Sequence, residues 1–100
     1  MSKQPAVYIL ASQYNGTLYI GVTSNLPQRM VQHHEGLVEG FSKKYGIKML
    51  VYFEVCDDML SAIAREKSLK GITRAKKIAL IEAENPNWES LAIKLELLKP

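Results

Sequence analysis

Asn15-Gly16 stands between two short β-prone runs, Ala6 to Ala11 and Leu18 to Thr23. No other short signal points so strongly to a β-hairpin, because both residues tolerate the positive φ that a tight connection requires. Each run carries one tyrosine, in Val7-Tyr8-Ile9 and in Tyr19-Ile20-Gly21. Side chains alternate across a strand. A two-residue turn at Asn15-Gly16, within Tyr14-Asn15-Gly16-Thr17, pairs Ser12 opposite Tyr19. Tyr8 has the parity of Ser12, so both tyrosines fall on one face but offset along the sheet. A bulge or a longer loop is needed to bring the hydroxyls close, and the sequence leaves that open.

The rest of the chain is punctuated clearly. Ser24-Asn25-Leu26-Pro27 reads as a helix start, with Ser24 or Asn25 as cap and Pro27 in the first turn. That helix runs to His34 or Glu35, where Gly36 ends it. Leu37 to Tyr45 form a basic, glycine-punctuated loop, and Ile47 to Val55 a third strand rich in β-branched and aromatic residues. Asp57 or Asp58 caps a second helix, Met59 to about Lys70, interrupted by Gly71. Thr73 caps a third, Arg74 to Ala83, broken by Asn85-Pro86. Asn87 caps a last helix from Trp88 to about Leu97. The order is ββαβααα. A small three-stranded antiparallel sheet cannot bury both faces alone, so helices must flank it in an α+β fold. A chain of 100 residues accommodates one domain, residues 1–100, with one core.

Composition narrows the classes of function. Cys56 is the only cysteine, so neither an intrachain disulfide nor a cysteine-rich zinc site can form. It is expected as a small buried residue at a strand end. The short polar N-terminus and the lack of any long apolar run predict a soluble cytoplasmic protein with no membrane partner. A net charge of +3 is mild, but six basic residues fall between Arg65 and Lys77 against one acid, Glu66. Lys67, Lys70, Arg74 and Lys77 form one stripe if the helix continues past Gly71, and Lys43, Lys44 and Lys48 add charge from the loop. A run of this kind is an ordinary solvated face unless it adjoins a site, where it would track a phosphate backbone.

Three positions carry chemistry. Leu26, Met30 and His33 follow the helical period, and Arg29 lies i,i+4 from His33, so the two project together at the edge of an apolar stripe. Snorkelling or a satisfied core histidine accounts for them equally well. His34 points elsewhere, to solvent. Glu66 recurs with Met59, Ile63 and Leu69 or Lys70 where an apolar side chain belongs. Buried carboxylates are paired or bind metal: the choice is a salt bridge, to a lysine or Arg29, or a metal ligand.

Tyr8, then Tyr19-Ile20-Gly21, then Arg29, His33 and Glu66 resemble the GIY-YIG (URI) nuclease superfamily over essentially the whole chain. Ala62-Ile63-Ala64-Arg65-Glu66-Lys67, Arg74-Ala75-Lys76-Lys77 and Asn85-Pro86-Asn87-Trp88 are similar to its small single-domain bacterial branch. The resemblance implies a metal-dependent endonuclease hydrolysing DNA phosphodiester bonds, in repair, recombination or processing of unusual DNA. It implies Tyr8 and Tyr19 as motif tyrosines, one of them the general base. Arg29 would stabilise the phosphorane, His33 would assist, and Glu66 would hold one Mg²⁺ or Mn²⁺. Gly21 would permit close approach beside the site. Asn85 is the candidate for the family's asparagine, although a turn role explains it fully. The alternative is a nucleic-acid-binding module that does not cut, or cuts only with a protein partner that targets it. DNA is the expected partner, with RNA open. The chain is expected as a monomer or weak homodimer, with Leu91, Leu95 and Leu98 serving either an interface or the core.

Overall fold

Every side chain of the first strand, β1 (Ala6–Ala11), is buried, and its place in the sheet explains why. β1 lies between β2 (Leu18–Thr23) and β3 (Met49–Val55), antiparallel to both, in the order β2-β1-β3. The computed structural model describes residues 4–36 and 46–95. Helices cover both faces of the sheet. Tyr8 and Leu10 pack with Leu26 and Met30 of α1 (Leu26–His34), with Ile47, and with Ala92 of α4 (Leu91–Lys94). Val7, Ile9 and Ala11 pack with Leu69 of α2 (Met59–Gly71), Ile81 of α3 (Arg74–Glu84) and Trp88. A strand with two dry faces must be apolar on both, hence its almost unbroken apolar run.

Local signals place most of the boundaries. The Asn25 side chain accepts the Gln28 N–H, Asp58 that of Ser61 and Thr73 that of Lys76, so three helices begin at side-chain caps. Gly36, at φ 72°, closes α1 in the left-handed region. Ile47 is fully buried, but it precedes β3, which starts at Met49. The pairing of β1 with β3 shifts between Ile9 and Leu10, leaving Val51 as an extra residue. Asn85 answers that bulge: its Nδ2 donates to the Val51 carbonyl at 3.1 Å and to that of Glu89 at 3.0 Å, while its Oδ1 accepts the Glu89 N–H.

Three expectations change. The last helix begins at Leu91 with Ser90 as cap, because Trp88 holds φ at 53° and Asn85 grips residue 89 in a turn, so Asn87 caps nothing. Ala92 is its buried residue, Leu91 packs on the core, Leu95 is half exposed, and Leu98 lies outside the described residues. The chain is extended at Ile72, so Lys67 and Lys70 belong to one helix and Arg74 and Lys77 to another, not to one continuous stripe. The hairpin does not close by a two-residue turn. Ser12 pairs with Thr17, leaving four residues in the loop: the Ser12 N–H donates to the Thr17 carbonyl at 3.0 Å and the Thr17 N–H to the Ser12 hydroxyl at 3.0 Å. Tyr8 therefore stands opposite Gly21 and Tyr19 opposite Leu10.

Candidate functional site

That register brings the two tyrosines together. Their ring centroids are 6.4 Å apart, on the face packed by α1. His33, one helical turn from Arg29 and in line with the buried Met30, completes a triangle, 5.7 Å from the Tyr8 ring and 5.6 Å from Tyr19, edge-on to both. The Tyr8 hydroxyl and His33 Nε2 are hydrogen-bonded at 2.9 Å. Tyr8 and His33 are buried, whereas Tyr19 and Arg29 are partly open to solvent. His34 is exposed, as its helical phase requires.

Gly21 makes the triangle possible. The Tyr8 ring passes directly over it, and a Cβ there would be driven into the Tyr8 hydroxyl and Cζ. β2 is an edge strand, and the charges of Arg29 on α1 and of Glu66 on α2 both act on the Tyr8 phenol. Burial, Tyr19 and the Glu66 carboxylate all disfavour a Tyr8 phenolate, and Arg29 only partly offsets them, so the phenol is pushed up to about 12. His33 is pushed down to about 4, chiefly by burial and also by the Arg29 charge. The site in its free state thus holds a neutral phenol against a neutral imidazole.

A pH dependence follows. Unfolded, His33 takes up a proton near pH 6.5; folded, it resists until about 4. Above the first value neither state binds the proton. As pH falls between the two, the unfolded chain binds more protons than the native one and stability declines. Wild type should therefore lose thermal stability relative to His33→Gln from pH 6.5 to 4 and match its slope above pH 7. Parallel melting curves for the two proteins across the whole range would refute the buried neutral imidazole.

Glu66 lies on the buried stripe of α2, between Ala62 and Leu69 at i, i+4, i+7 spacing. Its side chain is 17% exposed and pairs with Lys70 Nζ at 3.5 Å, so one of the two expected outcomes, a lysine salt bridge, is present. That pair does not exclude a metal, since Lys70 is more than half exposed and free to move. Among the described residues no three His, Cys, Asp or Glu side chains gather as a ready-made metal cage. A single carboxylate suits Mg²⁺ or Mn²⁺, hard ions that keep several waters and take further oxygens from a phosphate. α2 is fixed by its neighbour Arg65, whose Nε and Nη2 each donate to Glu54 of β3 at 3.0 Å while Tyr52 donates to the same carboxylate. Sequence reasoning missed this cluster; the i,i+2 placement of Tyr52 and Glu54 on one strand was its only signal.

The remaining candidates are dispersed. Lys67 and Lys70 lie on α2 beside Glu66, and Lys77 on α3. Arg74 Nη2 donates to the backbone carbonyls of Asn15 and Gly16, both at 2.8 Å. Lys43 and Lys44 lie outside the described residues. Asn85 is 5% exposed and holds a turn against β3, on the far side of β1 from Tyr19. Cys56 follows β3 directly and is half-buried.

Comparison with known proteins gives one consistent family. Residues 4–79 match the GIY-YIG catalytic domain. A UPF0213 protein of Clostridium perfringens is 33% identical over 91 residues, covering 91% of this chain and 97% of that protein. Another, from Syntrophus aciditrophicus, is 35% identical over 88 residues, covering 80% and 91%. The solution structure of a UPF0213 protein from Bacillus halodurans superposes with a TM-score of 0.55 at 24% identity, covering 90% of this chain and 95% of that one, a likeness of fold.

Proposed function

This chain belongs to the GIY-YIG family, and from that premise we propose that it is a divalent-metal-dependent endonuclease hydrolysing phosphodiester bonds in DNA. The observation that supports this best is the convergence on one phenol. Two tyrosines and an imidazole from β1, β2 and α1 meet where β2 has only Gly21, and the charges of Arg29 and Glu66 both act on the Tyr8 phenol.

The two phenols differ in access, and that divides their roles. Tyr19, partly open to solvent, is the one that meets an attacking water: in its phenolate form it takes the water's proton as that oxygen bonds to phosphorus and the bond from phosphorus to the leaving oxygen breaks. Tyr8, fully buried and held neutral, is a positioning residue: it fixes His33 by the 2.9 Å hydrogen bond, and His33 braces the Tyr19 ring. Arg29 presents its forked donors to the non-bridging oxygens as charge grows on them. A phosphate against Arg29 also offsets the charge that depresses His33. Glu66 would hold the Mg²⁺ or Mn²⁺, which when bound supplies positive charge against a phosphate oxygen and the leaving group. Lys67, Lys70 and Lys77 would track the flanking backbone, together with Lys43 and Lys44. No helix among the described residues is long and apolar enough to cross a membrane. Repair or recombination of DNA is the setting that such an activity fits.

The test is cleavage of labelled single-stranded, duplex, flap and branched DNAs with Mg²⁺ or Mn²⁺, comparing wild type, Tyr19→Phe and Tyr8→Phe. Metal-dependent cutting is expected. It should be lost in Tyr19→Phe by about 100-fold or more, the range a positioned base contributes, and reduced less in Tyr8→Phe. No cutting of any substrate, with salt-sensitive binding by all three proteins, would overturn the proposal in favour of a binding module.

A further inference from the structure

We infer that Arg74 is a positioning residue that selects the hairpin register on which the tyrosine pair depends. Asn15-Gly16 favours a two-residue turn, which would place Tyr8 opposite Thr23; the structure instead places Tyr8 opposite Gly21. The two registers differ by two residues, about 7 Å along the strand. A slip of one residue would turn every side chain to the wrong face, but a slip of two keeps each on its own. The apolar pattern of β1 and β2 therefore does not discriminate between them.

Contacts from far along the chain do. Arg74, the first residue of α3 after the Thr73 cap, donates through Nη2 to the carbonyls of Asn15 and Gly16, and Asn15 is held at φ 54°. Trp88, itself hydrogen-bonded to Glu82, packs edge-on against Tyr14 of the same loop at 5.6 Å. These contacts reward the four-residue loop and are lost in the tight turn. Without the clamp the sheet would keep its core, but Tyr19 would move away from Tyr8 and His33, and the space above Gly21 would no longer lie under the phenol.

The test compares Arg74→Gln and Arg74→Lys with wild type by two readouts. The first is NMR: ring-to-ring contacts between Tyr8 and Tyr19 and the cross-strand backbone contacts of Tyr8, which go to Gly21 in this register and to Thr23 in the other. The second, which rests on the nuclease proposal, is cleavage with its salt dependence. Lysine keeps the charge, but its ammonium ends one bond short of the Nη2 that addresses both carbonyls. Both variants should stay folded, exchange the Tyr8–Gly21 backbone contact for Tyr8–Thr23, lose the tyrosine ring contacts, and lose about 100-fold in kcat, the cost of a small misplacement in a site. KM and the salt slope of binding should not move. If Arg74→Lys behaves as wild type while Arg74→Gln keeps the ring contacts but binds DNA with a salt slope smaller by about one, Arg74 is a phosphate contact and the inference fails. The NMR readout decides the register even if no DNA is cut.

Discussion

Glu66→Gln should abolish cleavage while leaving the protein folded. The amide matches the carboxylate in shape, and the lost pair with Lys70 is largely open to water, so stability should change by less than about 1 kcal/mol. The activity loss should be far larger. Charge stabilisation by a catalytic metal amounts to several kcal/mol, and each 1.4 is a factor of ten, so about a thousand-fold loss or more is expected. Mn²⁺ titration should show weakened binding in the variant. A third readout is independent of both: the Glu66 charge helps hold Tyr8 up at about 12, so the amide should let the phenol ionise at lower pH in an ultraviolet titration. Cleavage and Mn²⁺ affinity equal to wild type would remove Glu66 from the site.

Gly21→Ala should be nearly as damaging, by a different route. The added methyl would occupy the place of the Tyr8 hydroxyl and Cζ, and Tyr8 cannot yield easily because it is fully buried and tied to His33. Overpacking of this kind costs about 1–3 kcal/mol. The ring displacement should also break the bond to His33, with a loss of about 100-fold in kcat. The partner of the clash is identifiable by a double mutant. Tyr8→Ala creates a cavity that the new methyl partly fills, so Gly21→Ala with Tyr8→Ala should be more stable than the sum of the single changes predicts. Strict additivity would show that Gly21 matters for another reason, such as backbone freedom.

The hairpin and the last helix show how far local signals reach. Asn25, Asp58 and Thr73 announce their helices because a capping side chain meets an amide three residues on, a contact the chain cannot avoid once the helix forms. Trp88 follows the same kind of signal, an Asn-Pro-Asn sequence, and here it misleads. Asn85 has a distant partner, the carbonyl of Val51, which bends residues 85–89 into a turn and delays the helix to Leu91. The carboxylate pair of Glu66 was among the readings open from sequence; which lysine takes it follows from i,i+4 spacing.

By itself, then, the sequence determined the order of strands and helices and most of their starts, the α+β class and the shared face of Tyr8 and Tyr19, since caps, alternation and burial of apolar runs act within a few residues. Only the tertiary structure decided the register that places one tyrosine against the other, the hydrogen bond between Tyr8 and His33, and the division between a buried and an accessible phenol. The physical reason is a degeneracy. Shifts by two along a strand conserve the face of every side chain, and a helix can cover a sheet from more than one position, so burial alone leaves these choices nearly equal in energy. Contacts such as Arg74 with the carbonyls of Asn15 and Gly16, or Arg65 with Glu54, break the tie, and they exist only once the chain has folded.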